Sequence, residues 1–268
     1  MAPALDRPQL ATEVALTGGD LNVVVRAGDT VRRPAGPWTP AVHALLRHLE
    51  AAGFDGVPRV LGFDGRGREI LSYVEGEPGL TPVPAADAAV ASIGRLLRRM
   101  HDAQAGFAAP PDAAWQAAPG APSEGEVICH NDLFWPNVVF REGEAAALVD
   151  WDLAAPGARL DDVASAANFW VPLRDDGTAA KRGVPVDRRR ERLLLLCEVY
   201  GVEDSAGLLA AVDRINERSL ALYHRWGRDE RRPGWAELWD RDGDRYLVAK
   251  QRWLDEHREE VAGWLSGR

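Results

Sequence analysis

Between Leu16 and Val74 the apolar residues fall in short alternating runs separated by turn residues. Leu21, Val23 and Val25 alternate onto one face of a strand after the Gly18-Gly19 turn, and Thr30–Pro34 reads as a further short strand ended by proline. Thr39-Pro40 then opens a helix, in which Val42, Leu45, Leu46 and Leu49 recur at helical spacing until Gly53 stops it. Val60–Phe63 and Glu69–Val74 flank the Gly65–Gly67 turn and predict an antiparallel pair.

The segment 75–84 is rich in glycine and proline and predicts a connector. Beyond it, Val90, Ile93, Leu97 and Met100 form a helical stripe, and residues 103–126 carry no stable periodicity. Three apolar runs follow, Val127–Cys129, Val138–Phe140 and Ala145–Val149, bounded by polar turns and expected as buried strands. From Asp161 onward the pattern is helical, through Arg188–Tyr200, Ala206–Trp226 and Trp235–Trp264, with the tryptophans at packing positions. The expected fold class is α+β in two lobes: residues 1–74 with a small antiparallel sheet and one helix, a hinge at 75–84, and a larger, mainly helical lobe over 85–268.

Composition narrows the function classes. A chain of 268 residues with 46% hydrophobic and 27% charged residues belongs with ordered globular proteins. Its 41 acidic against 32 basic residues, net charge −9, argue against binding nucleic acid through phosphate neutralisation. No apolar run approaches the ~20 residues of a membrane span, and the N-terminal residues lack a signal-peptide core, so no membrane association and a cytoplasmic location are expected. Cys129 and Cys197 both lie in apolar runs and read as reduced core thiols.

The polar turn between the first two central strands carries His130, Asn131, Asp132 and Asn137, and the third strand ends on Asp150. A convergence of these groups suits phosphoryl transfer, which needs a group to orient the acceptor hydroxyl and hard oxygens for a divalent metal. On this reading Asp132 receives or orients the hydroxyl proton, and Asn137 and Asp150 are ligands for Mg2+. Asp and Asn also form ordinary turns at strand ends; the ordered set with strands between its members is what distinguishes the two.

The run His130-Asn131-Asp132-Leu133-Phe134-Trp135-Pro136-Asn137, the triplet Asp150-Trp151-Asp152 and Asp161-Asp162-Val163-Ala164 together resemble the aminoglycoside phosphotransferase and choline kinase branch of the protein-kinase-like fold. The resemblance implies that Asp132 is the catalytic aspartate, that Asn137 and Asp150 bind magnesium, and that His130 and Asp162 brace the loop between them. It also implies ATP as cofactor, bound under the connector, with Gly18, Gly19 and Asn22 in a nucleotide-covering loop, the backbone of Ser72, Tyr73 and Val74 meeting adenine, and Arg32 holding phosphate.

Two departures stand out. Arginine replaces the family's phosphate-holding lysine, offering a planar fork instead of a point charge, and Val42 or His43 occupies the helix position of its acidic partner, with Glu50 a candidate one face-repeat later. The leading expectation is a kinase acting on a hydroxyl of a small molecule, either an antibiotic such as an aminoglycoside or a choline-like or amino-alcohol metabolite. A non-catalytic nucleotide-binding or regulatory protein of the same fold is the alternative. No Asp-Phe-Gly or Ala-Pro-Glu signature points to a protein kinase.

Overall fold

A computed structural model describes residues 12–16, 24–79, 87–116, 122–181, 183 and 186–266. Gly18, Gly19 and Asn22 lie outside the described residues. In the N-terminal lobe, β1 (Val14–Ala15), β2 (Val25–Ala27), β3 (Thr30–Arg33), β4 (Val60–Phe63) and β5 (Glu69–Ser72) form one antiparallel sheet in the order β1-β2-β3-β5-β4. Between β3 and β4 runs α1 (Thr39–Ala51), which buries Val42, Leu45, Leu46 and Leu49. The expected apolar stripe is therefore the buried face.

Glu77 and Pro78, inside the expected connector, form a short strand, β6. It pairs with Phe140 and Val139 of the second lobe, so the chain is already part of that lobe before the helix α2 (Asp87–Asp102) begins. Gly76 permits the approach: its φ is +141°, and a Cβ there would lie 2.5 Å from the Phe140 carbonyl oxygen.

The central runs become β7 (Val127–Cys129), β8 (Val138–Arg141) and β9 (Glu144–Leu148). Only β8 and β9 pair with each other. Instead of joining them, β7 pairs with β10 (Ala155–Gly157), a strand that its alanine, proline and glycine do not announce. A backbone bond from the Val149 amide to the Asn137 carbonyl, 2.9 Å, closes the hairpin base where the polar residues collect.

The remaining helices are α3 (Arg159–Trp170), α4 (Asp176–Lys181), α5 (Arg189–Tyr200), α6 (Ser205–Leu222), α7 (Trp235–Asp242), α8 (Arg245–Glu256) and α9 (Arg258–Ser266). A π-helical turn, Tyr223–Asp229, extends α6. The helical stretch expected over Trp235–Trp264 comprises three helices, divided where Gly243 takes φ +58° and at His257. One apolar core, which includes Cys197, joins α1, α2, the central strands and the C-terminal helices; both cysteines are free and buried. No helix among the described residues is long and apolar enough to cross a membrane.

Candidate active site

The loop after β7 is held from below by Asp162, near the start of α3. Its carboxylate accepts the His130 amide at 2.9 Å, the Asn131 amide at 2.8 Å and the His101 Nε2 at 3.1 Å. Burial alone would raise the Asp162 pKa, but these partners hold it below the ordinary carboxylate range. Asn131 takes φ +64°, and its side chain is tied to the Leu153 carbonyl at 3.0 Å, which fixes a backbone conformation that L-residues seldom adopt.

His130 is fully buried, and burial depresses its pKa, so the ring is neutral. Its Nε2 donates to the Val149 carbonyl at 3.0 Å, leaving Nδ1 to accept the Asp132 amide at 3.3 Å. One tautomer thus links the residue before Asp150 to the backbone of Asp132. Asp162→Ala would strand two amides and a histidine. We expect a cost of about 3–5 kcal/mol, read as a lowered Tm at pH 7. Because the folded pKa of Asp162 is depressed, the wild-type advantage should be complete above about pH 4 and shrink as pH falls further.

Asp132 and Asn137 face each other across this loop. The Asn137 Nδ2 donates to the Asp132 carboxylate at 2.8 Å and to its carbonyl at 3.1 Å. Burial first, then the nearby Asp150 charge, pushes the Asp132 pKa up to about 7. The Asn137 amide nitrogen is committed to Asp132, which leaves its Oδ1 as the side chain's remaining polar atom. Asp150, at φ +63°, has a side chain 46% exposed. One carboxylate and one carboxamide oxygen are a donor set suited to Mg2+, which takes few protein ligands and is completed by substrate phosphates and water.

The cation at this site is Arg33, not Arg32. Strand β3 pairs Arg33 with Glu69 and Val31 with Leu71, so Arg33 shares the inward face, whereas Arg32 falls on the opposite face and donates to Thr30 Oγ1 at 3.0 Å. Alternation from Val31 was the available signal, and the Arg-Arg-Pro ending obscured it. The buried Arg33 donates to Asp150 at 3.1 Å and to Asp152, and its Nε lies 3.3 Å from Glu69. Asp150, Asp152 and Glu69 together outweigh the effect of burial, and Arg33 stays charged.

The acidic partner missing from α1 is Glu69 on β5, which sequence reasoning did not single out. His43 of α1 meets it at 2.7 Å, so the helix contributes an imidazole that holds the acid in place of an acid of its own. Glu50 points elsewhere and pairs with the exposed Arg59. Asp152 also accepts the Trp38 indole N–H at 2.9 Å, tying the residue before α1 to the second lobe. In the proposed adenine-binding stretch, the Ser72 amide bonds Arg59 and the Tyr73 amide bonds Asp29, so both are spent on the sheet; the Val74 amide makes no hydrogen bond among the described residues.

A model of the phosphotransferase enzyme family (APH) matches residues 13–121 and 112–194. The trifolitoxin immunity protein of Rhizobium leguminosarum bv. trifolii is 41% identical over 195 residues, covering 71% of this chain and 74% of that protein. An amicoumacin kinase solved with AMP-PNP, Ca2+ and Ami shares the fold with a TM-score of 0.63 at 13% identity, over 90% of this chain and 89% of that one. A choline/ethanolamine kinase family protein from Mesorhizobium loti does so with a TM-score of 0.56 at 17% identity, over 98% and 95% of the two chains. By the match to the family model and the close curated relative, the chain belongs to the APH phosphotransferase enzyme family.

Proposed function

We propose that the protein transfers the γ-phosphate of ATP to a hydroxyl of a small molecule, with Mg2+ held by Asn137 and Asp150. The observation that carries this reading is the facing pair Asp132 and Asn137, set beside Asp150 and braced through His130 by Asp162. Asp132 orients the acceptor hydroxyl and takes its proton; its raised pKa favours acceptance over that of an ordinary surface carboxylate. Arg33 neutralises phosphate charge from the N-terminal lobe, replacing Arg32 in that role. Val74 supplies a backbone amide for the base, and Gly18, Gly19 and Asn22 belong to the loop that covers the phosphates. When bound, Mg2+ supplies charge neutralisation on the transferring phosphoryl group.

The relative named as an immunity protein favours a protective role, in which the acceptor is a toxic small molecule and phosphorylation inactivates it. A screen of alcohol-bearing antibiotics and amino alcohols for ADP release tests the reading. ATP should raise the Tm only modestly without Mg2+ and clearly with it, and Asp150→Ala should erase that metal-dependent increment. Turnover by Asp150→Ala at the wild-type rate would falsify the metal assignment.

A further inference from the structure

Of the 32 basic residues only two are lysines, Lys181 and Lys250. Lys181 is exposed at the end of α4, whereas Lys250 lies on the inner side of α8 at 4% exposure, beside Leu247 and Leu254. Burying an ammonium without a partner is costly, yet Lys250 makes no hydrogen bond or ion pair among the described residues. Its amine is pushed down to about 7 by burial and by another cation, Arg174.

Arg174 is itself 1% exposed, on the segment after α3. It donates to the Tyr246 hydroxyl and the Asn168 carbonyl, and lies 5.1 Å from the Tyr246 ring and 5.9 Å from the Phe169 ring. Arg189 of α5 adds a third cation over the Trp253 ring, and its carboxylate partner Asp176 is 72% exposed. The same corner holds a second unmet polar atom. The buried Asn168 Oδ1 has no partner among the described residues, while its Nδ2 donates to Asn216, and Asn216 in turn donates to Gln251, next to Lys250. Gln251 continues to Asp213 and Asp255, at 3.0 Å each.

This corner adjoins the loop that carries Asp132. The Phe169 carbonyl accepts the Trp135 indole N–H at 2.9 Å, and the Phe169 ring lies 5.5 Å from Phe134, whose backbone hydrogen-bonds the Asp132 carboxyl. We propose that the corner between α3, α6 and α8 anchors the phosphate acceptor through an oxyanion, a carboxylate or phosphate held by Lys250 and Arg174, with a neighbouring donor meeting Asn168 Oδ1. The proposal rests on the phosphotransferase reading above and adds the acceptor's charge class. Ammonium and guanidinium make strong charge-assisted bonds to an oxyanion, and an acceptor bearing only cationic groups meets like charge here.

Two lysines make a direct test available. In protein labelled with 13C-lysine, Lys181→Arg leaves Lys250 as the sole side-chain signal, whose titration is followed in nucleotide-free protein with glycerate, inorganic phosphate or the uncharged match glycerol. Saturable upward movement of the Lys250 midpoint by about one pH unit with either anion, and none with glycerol, is the expected result. Arg174→Gln should weaken the anion response at least tenfold. A midpoint unmoved by both anions, or moved equally by glycerol, overturns the proposal. Asp132→Ala protein should show the same response, so failed transfer and failed anion binding are read separately.

Discussion

Asp132→Asn should lower the transfer rate by about 10²–10⁴-fold, the usual contribution of a positioned acid–base group, while raising the melting temperature of the metal-free protein. Both effects come from one placement. The carboxyl is desolvated and faces the charge of Asp150, so its folded pKa is about 7, well above its ordinary value. A raised folded pKa means that the folded state holds the proton more tightly. The stability associated with that proton is complete below about pH 4, declines as pH rises, and is gone above about pH 7. Asparagine has the same shape, keeps an oxygen for the Asn137 amide, and carries no charge to desolvate. Measured in EDTA, the variant should therefore exceed wild type in Tm at pH 8, with the gap closing toward pH 5. A fall in Tm together with activity would instead make Asp132 a structural residue; wild-type turnover would remove it from the chemistry.

How far the sequence discloses this site depends on what each residue's neighbours are. His130, Asp132, Asn137 and Asp150 are readable because short apolar runs bracket them and fix their places at strand ends, and the structure brings them together around one loop. Asp162 is readable from its position at the start of a helical pattern. The Arg33 network is harder to read because it is assembled by register. Glu69 meets Arg33 only through the pairing of β3 with β5, and His43 meets Glu69 only where α1 crosses the sheet. Such cross-strand partners leave no trace in local spacing, although the inward face of β3 was deducible from Val31.

Fold details divide in the same way. The helices α1 and α2 follow their apolar stripes, because tertiary burial agrees with local period. Strand β10 was not legible, since Ala155-Pro156-Gly157 has neither β-branched nor aromatic residues and is extended only because Ile128 and its neighbours pair with it. Lys250 was likewise invisible within a polar-looking helix. Only the packing of α8 shows that this amine is enclosed.

The missing acid on α1 and the arginine at position 32 raised the alternative of a protein that keeps the fold without catalysis. The structure places an acid of another strand, Glu69 of β5, beside Arg33. The contacts between the lobes run from Arg33 to Asp150 and Asp152. An acid on α1 would couple the cation to helix position directly; here His43 carries the coupling, while Trp38 and Asp152 make a second link between the start of α1 and the far lobe.

Arg33→Met should destabilise the protein about as much as Asp162→Ala. It leaves Glu69, Asp150 and Asp152 clustered with no guanidinium among them; Glu69 keeps His43 and Asp152 keeps Trp38, but Asp150 loses its ion-pair partner. Removing one member of a buried ion network costs about 3–5 kcal/mol. At about 2–4 °C per kcal/mol for a chain of this size, the Tm should fall by roughly 6–20 °C, with ATP-dependent turnover lost as well. Arg32→Ala, on the opposite face of the same strand, should change stability by no more than about 1 kcal/mol, a contrast that separates register from mere local charge. Arg33→Lys keeps the charge but cannot reach three carboxylates with one fork, so an intermediate Tm is expected. Adding Glu69→Gln to Arg33→Met should recover part of the loss by removing one of the uncompensated charges. Equal Tm values for Arg33→Met and Arg32→Ala would refute the network as the organiser of this cleft.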